Sequence, residues 1–244
     1  MRFSVRAPAS SANLGPGFDA VGLALDLWNI VTIDTDGEAD SVVNTGSEAT
    51  LLEGRENLTV TAMRMLAKHH HRTLPQFSID AETNIPVARG LGSSAAALVS
   101  GLIAANHLLD LGKSVDELFA FAWTMEGHGD NVGAALYGGA ILAVPGIHEA
   151  IRLWDGSDNG LTAAVFIPEI TGATWAARAA LPNTLPFADA VANVAHAAGL
   201  VVGLKTGEHR LIGIGMNDLM HEPYRERLFP HLEPMKAAAV RGGA

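Results

Sequence analysis

A glycine-punctuated loop at residues 90–94 runs directly into a long apolar helix, and this junction constrains the fold more than any other feature of the chain. Its two glycines permit a tight turn and a close backbone approach to a ligand. The two serines that follow open the helix, whose free N–H groups carry partial positive charge and suit phosphate. A serine hydroxyl there can also reach a phosphate-bound Mg²⁺. The same letters fit an ordinary helix with a serine N-cap, so the junction alone leaves both interpretations open.

The composition of the 244 residues narrows the function classes. Hydrophobic residues make up 48% and charged residues 17%, which is typical of a globular protein with a sizeable core. The net charge of −10, without a Lys/Arg run, argues against a nucleic-acid partner. The absence of cysteine excludes disulfides, zinc-thiolate sites and thiol nucleophiles. The apolar stretch after Ser93 is too short and too polar to span a bilayer, and the N-terminus resembles no signal peptide. We therefore expect a cytoplasmic protein without a membrane partner.

Hydrophobic periodicity predicts a mixture of strands and helices. Strands are predicted over residues 2–7, 21–35, 76–82, 137–144 and 163–168. Helices are predicted over 57–71, from Ser93 to about Leu111, from the Ser114–Glu117 capping box onward, and over 187–204. Because the elements do not follow a strict βαβ alternation, the pattern indicates the α+β class rather than a doubly wound sheet.

A second loop, at residues 8–19, presents two polar side chains between glycines and prolines. The Asn13 amide can both donate and accept hydrogen bonds. The Asp19 carboxylate accepts only, and it can pair with a substrate ammonium group. An Asx-rich turn between two strands is the structural alternative for this loop.

An acidic segment at residues 126–131 follows the third predicted helix. Mg²⁺ in kinases is usually held by one or two carboxylates together with substrate phosphates, and Glu126 is a candidate ligand. Glu126 lies 32 positions after Ser94, and a two-helix hairpin can bring the two side chains together. A polar turn with a structural His128 and Asp130 is the alternative interpretation.

One arginine stands out in an alanine-rich stretch before Pro182. The fork-shaped guanidinium of Arg178 suits both a carboxylate and a phosphoryl group. The alternative interpretation is that Arg178 is an ordinary solvent-exposed residue of a helix.

Taken together, these segments resemble the signatures of the GHMP kinases, the relatives of galactokinase, homoserine kinase, mevalonate kinase and phosphomevalonate kinase. Residues 86–96 are similar to the second signature of that superfamily. Residues 8–19 resemble the first signature in the form found in homoserine kinases. Residues 126–132 resemble their Glu-Gly-His-Pro-Asp-Asn-Val segment, with Gly129 in place of the proline. The resemblance covers nearly the whole chain.

This resemblance implies an ATP site at the glycine loop. The loop wraps the ATP phosphates in the family, and a serine helps to hold Mg²⁺. The resemblance assigns Mg²⁺ to Ser94 and Glu126, with Ser93 as the alternative serine. The residues expected to bind ATP are Pro86, Arg89, Gly90, Leu91, Gly92, Ser93, Ser94, Ala95 and Ala96.

The resemblance also implies an amino-acid substrate, L-homoserine. Asp19 would bind its ammonium group and Arg225 its carboxylate, with Arg227 as the alternative arginine. The remaining residues expected at the substrate are Asn13, His128, Asn131, Thr174 and Arg178. The expected catalytic residues are Asn13, Arg178 and Glu126.

A general base is not evident. Mevalonate kinase and galactokinase relatives place an aspartate near the position of Asn131, and an amide cannot take a proton at neutral pH. Catalysis would then rest on positioning and charge stabilisation, which the loose transition state of phosphoryl transfer permits. Asp130 stays open as an alternative base.

The resemblance implies two domains, an N-terminal ATP-binding domain similar to ribosomal protein S5 over 1–150 and an incomplete ferredoxin-like domain over 151–244. A third glycine-rich signature of the family is missing at the end. Either the sequence is a piece of a complete enzyme, which we favour, or the chain is truncated with reduced activity. The expected reaction is Mg-ATP-dependent phosphorylation of L-homoserine in threonine biosynthesis. Another GHMP kinase of the mevalonate type and an inactive nucleotide-binding chain are the alternatives. A homodimer is compatible with the sequence.

Overall fold

The computed structural model describes residues 1–37, 40–157, 160–168 and 174–243. Within these residues the strands are β1 (Arg2–Ala12), β2 (Val21–Asp34), β3 (Ser41–Thr45), β4 (Ser78–Glu82), β5 (Ala140–Val144) and β6 (Glu149–Trp154). The helices are α1 (Leu58–His69), α2 (Ser93–Leu108), α3 (Val115–Glu126), α4 (Asp130–Tyr137), α5 (Thr174–Ala179), α6 (Phe187–Thr206), α7 (His209–Gly215), α8 (Glu222–Arg225) and α9 (Leu232–Arg241). The predicted α+β class is confirmed.

The strands form one six-stranded sheet around β2. The 14-residue β2 pairs antiparallel with β1 along one edge, and with β4 and β5 at opposite ends of its other edge. Strand β3 runs parallel to β4, and β6 pairs antiparallel with β5. A register shift between Pro8 and Ala9 accommodates a proline that cannot donate to the ladder. Residues 8–19 therefore form the end of β1 and the loop that joins it to β2.

Helices α1 to α4 bury their apolar residues against the sheet. The largest core cluster joins Ile33 of β2 with Leu66 of α1, Leu102 of α2, Phe119 of α3 and Val132 of α4. Helix α2 is buried on most of its surface, as its nearly uniform apolar composition predicts. A Cβ added to its Gly101 would lie 2.2 Å from the carbonyl oxygen of Thr59, so the glycine lets α1 and α2 approach closely. The N-terminus of α2 is therefore set by a packed core.

Helix α6 packs a smaller cluster onto the far part of the sheet. Its Leu200 and Leu204 lie against Val21, Ala140 and Leu153. By length and composition alone α6 is apolar enough to cross a membrane, but a core helix passes the same test, so this is weak evidence. The buried leucines instead connect α6 to β2, β5 and β6.

Most of the predicted elements are present, with one clear error, whereas β3, β6, α4, α5 and α7 to α9 were not predicted. The strand predicted over 163–168 is wrong, because these residues belong to no strand in the described part of the chain. Phe166 there is 65% exposed, so the apolar run finds no neighbouring strand or core. The strand predicted over 137–144 starts at Ala140, because Tyr137 ends α4. The capping box of Ser114 and Glu117 is confirmed at the start of α3. The domain division at residue 150 stays a prediction.

Candidate active site

A cavity of about 780 Å³ lies where the glycine loop, the β1–β2 loop, the α3–α4 connection and the C-terminal helices meet. This volume is in the range of small-molecule binding sites. The cavity is lined by these residues that were predicted from the sequence: Asn13, Asp19, Pro86, Arg89, Gly90, Leu91, Gly92, Ser93, Ser94, Glu126, His128, Asn131, Arg178 and Arg225. Ala95 and Ala96 do not line it, because both are fully buried in α2.

The glycine loop delivers the N-terminus of α2 to this cavity. Gly92 is the N-cap residue, with a φ of +66°, and no side chain in the described part of the chain caps the helix. The serine N-cap interpretation is therefore wrong. A Cβ at Gly92 would lie 2.0 Å from the Ser10 hydroxyl, so both the conformation and the space require glycine. The uncapped first turn can give its N–H groups to an anionic ligand.

A hydroxyl and a carboxylate meet beside this helix start. The Ser94 hydroxyl donates to Glu126 Oε1 at 3.2 Å. The α2–α3 hairpin brings the two residues together, because Ser94 lies in the first turn of α2 and Glu126 is the last residue of α3. Two oxygen donors at the phosphate end of a cavity suit a hard cation such as Mg²⁺, so these residues fit the predicted metal.

The turn between α3 and α4 is organised around a buried carboxylate. Asp130 is 1% exposed, and its Oδ1 accepts hydrogen bonds from His128 Nδ1 at 2.6 Å and from the Asn131 N–H at 2.7 Å. The hydrogen bond to Asp130 raises the pKa of His128 above its ordinary value; burial opposes this shift, and the nearby carboxylates support it. One ligand atom each from Asp19, His128 and Asp130 lie within 4.8 Å of one another. Asp130 Oδ1 thus positions both His128 and the backbone of Asn131.

Asp19 is bound by an arginine from a distant part of the chain. Arg178 Nη1 donates to Asp19 Oδ2 and Nη2 donates to Oδ1, both at 2.8 Å. This bidentate pair raises the pKa of Arg178. Asp19 has a φ of +56° and Asn13 a φ of +59°, so the loop turns sharply at both residues that were predicted to face the substrate. Asp19, which was predicted to bind the substrate ammonium, is therefore already paired with a positive charge.

Arg225 is held in a buried position on an aromatic ring. It is 8% exposed, its Nε donates to the Ala177 carbonyl at 3.0 Å, and its guanidinium lies 4.7 Å from the centre of the Phe18 ring. Burial lowers the pKa of Arg225, and the charge of Arg178 adds to this shift. Arg227 is exposed and lies outside the cavity lining, so the structure favours Arg225 of the two predicted arginines.

Several contributing residues were not predicted from the sequence. The ring of Phe18 also stacks on His221 at 4.8 Å, and His221 Nε2 donates to the Gly15 carbonyl at 2.8 Å. Asp218 Oδ2 accepts three backbone N–H bonds at the start of α8. Ser10 is fully buried behind the glycine loop. The sequence around a phenylalanine or histidine in a loop does not indicate that the two rings will stack. The predicted Thr174 starts α5, and its side chain lies outside the described residues.

Comparison with known proteins places the chain in a family. The GHMP kinases N terminal domain family matches residues 57–139. The homoserine kinase of Crocosphaera subtropica is 39% identical over 99% of this chain and 80% of its own length. That of Deinococcus radiodurans is 41% identical over 99% of this chain and 79% of its length. The chain thus spans about four fifths of these relatives.

Solved structures agree. The homoserine kinase of Cytophaga hutchinsonii has a TM-score of 0.82 at 29% identity and covers 100% of this chain and 80% of its own. The putative homoserine kinase of Listeria monocytogenes has a TM-score of 0.76 at 32% identity, with 100% and 81% covered. The phosphomevalonate kinase of Streptococcus pneumoniae, at 12% identity and a TM-score of 0.61, shares the fold alone. The likeness to homoserine kinases over nearly the whole of this chain shows that it belongs to the homoserine kinase family of the GHMP kinases, with which the glycine-loop helix start and the Ser94–Glu126 pair are consistent.

Proposed function

We propose that this chain transfers the γ-phosphoryl group of ATP to the side-chain hydroxyl of L-homoserine, giving ADP and O-phosphohomoserine. The observation that carries the proposal is that one cavity joins an uncapped helix N-terminus at Gly92 to a charged cluster of Asp19, Arg178 and Arg225. The first part suits a polyphosphate, and the second suits an amino acid with both of its charged groups.

At the phosphate end, the chain supplies backbone donors and a metal pair. The first turn of α2 offers N–H groups to the phosphates without competition from a capping side chain. Ser94 and Glu126 would hold Mg²⁺ through oxygen atoms. When bound, this ion neutralises negative charge on the phosphate oxygens. Arg89, which lines the same end, adds a guanidinium whose fork suits phosphate oxygens.

At the substrate end, opposite charges match the two charged groups of homoserine. Asp19 binds the ammonium group with the lone pairs that its two hydrogen bonds to Arg178 leave available. Arg225 binds the carboxylate, since its Nε is fixed by the Ala177 carbonyl and its remaining N–H groups stay available as donors. Asn13 and Asn131 come from different segments of the chain, both line the cavity, and both would contact the acceptor hydroxyl.

The proton of the acceptor hydroxyl passes to a phosphate oxygen or to water. The Asn131 amide has no basic nitrogen, and Asp130 Oδ1 is engaged by His128 and by a backbone N–H. Phosphoryl transfer needs little help from a base, because its transition state is loose and is stabilised mainly by positioning and charge. Arg178, which lines the cavity and is bound to Asp19, would stabilise the negative charge of the transferring group.

The test is ADP release by the purified chain with Mg-ATP and either L-homoserine or mevalonate. Release with homoserine alone, with ³¹P NMR of the phosphate monoester, supports the proposal. Release with mevalonate alone overturns the substrate. ATP binding without release with either substrate identifies a nucleotide-binding chain without turnover. A Glu126→Gln variant serves as the matched control, because it keeps the shape of the side chain and removes the metal-binding charge.

A further inference from the structure

Ser10 in β1 connects the two halves of the reaction centre although it does not line the cavity. It is fully buried, and its hydroxyl donates to Asn131 Oδ1 at 2.8 Å. Its backbone N–H donates to the Leu91 carbonyl in the glycine loop at 3.1 Å. Through these two bonds, Ser10 links the glycine loop to the start of α4.

In the structure, the hydroxyl of Ser10 bonds to the oxygen side of the Asn131 amide. With Oδ1 turned to Ser10, the two N–H donors occupy the other corner of the amide, and Asn131 lines the cavity. The residue is therefore presented as a donor to an oxygen, which suits the hydroxyl oxygen of an acceptor.

The packing determines how far Asn131 lies from the phosphate loop. A Cβ at Gly92 would lie 2.0 Å from Ser10 Oγ and 3.1 Å from Asn131 Oδ1, so the three residues are in direct contact. Ser10 thus fills the gap between the N-cap of α2 and the first turn of α4. Both helices belong to the same packed core, which leaves little freedom for this spacing to adjust.

We propose that Ser10 is a positioning residue of the phosphoryl transfer, acting through Asn131: it orients the amide as a donor to the acceptor oxygen and sets its distance from the phosphate loop. The proposal rests on the proposed function, since the donor needs an acceptor hydroxyl. A merely structural buried serine would affect stability and ATP binding together, whereas a positioning residue affects kcat with homoserine.

The experiment is a double-mutant cycle with steady-state kinetics on Ser10→Ala, Asn131→Ala and the double variant. We expect Ser10→Ala to lower kcat by about 10-fold with KM for ATP nearly unchanged, because a slightly misplaced group is costly in catalysis. In the Asn131→Ala background, Ser10→Ala should cause no further loss of kcat. Ser11→Ala makes the same chemical change one position along β1 and should behave as wild type.

Three results would overturn the proposal: wild-type kcat in Ser10→Ala, losses of kcat that multiply in the double variant, or a rise in KM for ATP as large as the fall in kcat. If Ser10→Ala does not fold, Ser10→Cys replaces the hydroxyl by a larger sulfur with only a weak S–H donor, so kcat should still fall, and an unchanged kcat in that variant would count against Ser10. Failure of the proposed function is seen separately, as a wild-type chain that releases no ADP with homoserine.

Discussion

The phosphate end and the substrate end of the cavity are built by different means. At the phosphate end, a glycine, a buried serine and the first turn of a core helix are in contact, with no space for one further carbon at Gly92. At the substrate end, Asp19 and Arg178 are one third or more exposed and are joined by their charges. The first end is a packed part of the core, and the second is a set of long side chains around the Phe18 ring.

This difference indicates which part is ready before a ligand binds. Packed backbone has essentially one arrangement, so the phosphate loop is preorganised. Exposed ion pairs contribute about 0–1 kcal/mol each, so a charged ligand can rearrange the Asp19–Arg178 pair at small cost. Arg178 bound to Asp19 is therefore an arrangement that the substrate ammonium can share or replace. The two ends should respond differently to substitution.

The largest effect is expected for Gly92→Ala, compared with Gly90→Ala. Both glycines have a positive φ, so each substitution costs about 1–2 kcal/mol of backbone strain. At Gly92 the added Cβ also meets Ser10, whereas at Gly90 it meets no described atom within 4 Å. Overpacking adds about 1–3 kcal/mol, so Gly92→Ala should lose more free energy of unfolding in urea titrations and lose ATP binding in calorimetry.

Equal stability losses in the two alanine variants would contradict the view that the phosphate end is set by packing. They would show instead that the loop relaxes around the added carbon, and that only the positive φ matters.

A smaller and more selective effect is expected for Asp19→Ala at the other end. The substitution removes the proposed ammonium partner and frees Arg178. Losing a charge-assisted hydrogen bond of about 1.5–3 kcal/mol should lower kcat/KM for homoserine by about 10- to 150-fold. ATP binding, measured by calorimetry, should stay within about 2-fold because the two ends are built independently. The exposed carboxylate Asp26, changed to alanine, is the control.

Comparable losses of homoserine turnover and of ATP binding in Asp19→Ala would remove the distinction between the two ends. They would assign Asp19 to the support of the whole cavity rather than to the substrate.

The same difference explains how much of the molecule could be predicted from its sequence. Contiguous features were predictable: the loop at 90–94 and the capping box at Ser114 depend on local backbone chemistry. The pair of Asp19 and Arg178 spans 159 positions, so only the fold brings the two residues together. Their individual roles came from family resemblance, and they stay predictions. The contact of Ser10 with Asn131 left no signal, because a serine in a strand is common.

The error at 163–168 has a related physical cause. A short continuous run of apolar residues forms a strand only if another strand or a core covers it, and Phe166 is largely exposed. Local pattern was therefore reliable where a core covers the apolar residues, as in α2 and α6, and unreliable at 163–168, where burial is sparse.

A moderate effect limited to the substrate end is expected for Phe18→Leu. Leucine keeps the apolar bulk and removes the ring face, which lies 4.7 Å from the Arg225 guanidinium and 4.8 Å from the His221 ring. A cation–π contact is worth about 0.5–2 kcal/mol, so KM for homoserine should rise by about 2- to 30-fold. The kcat value and KM for ATP should stay close to wild type.

Phe121→Leu is the matched control, because Phe121 contacts His69 and the core rather than the cavity. A change in KM for ATP in Phe18→Leu as large as that for homoserine would mean that the ring supports the phosphate end too.

The smallest effect is expected from the capping box at the start of α3, the helix that carries Glu126 at its other end. Hydrogen bonds from Lys113 and from the Ser114 N–H lower the pKa of Glu117 from 4.5 to about 2. A lowered pKa means that the folded chain favours the carboxylate. Its stabilisation is therefore present above pH 4.5 and is lost as the pH falls through about 2. The difference in Tm between wild type and Glu117→Gln should shrink over this range.

The kcat value of Glu117→Gln at pH 7 should equal that of wild type, because Glu126 is held by the packing of α3 rather than by its cap. Glu53→Gln, at another exposed carboxylate, controls for the general change in net charge. If kcat falls while Tm hardly changes, the position of Glu126 depends on the far end of its helix. The phosphate end would then be as adjustable as the substrate end, and the contrast between them would rest on Gly92 and Ser10 alone.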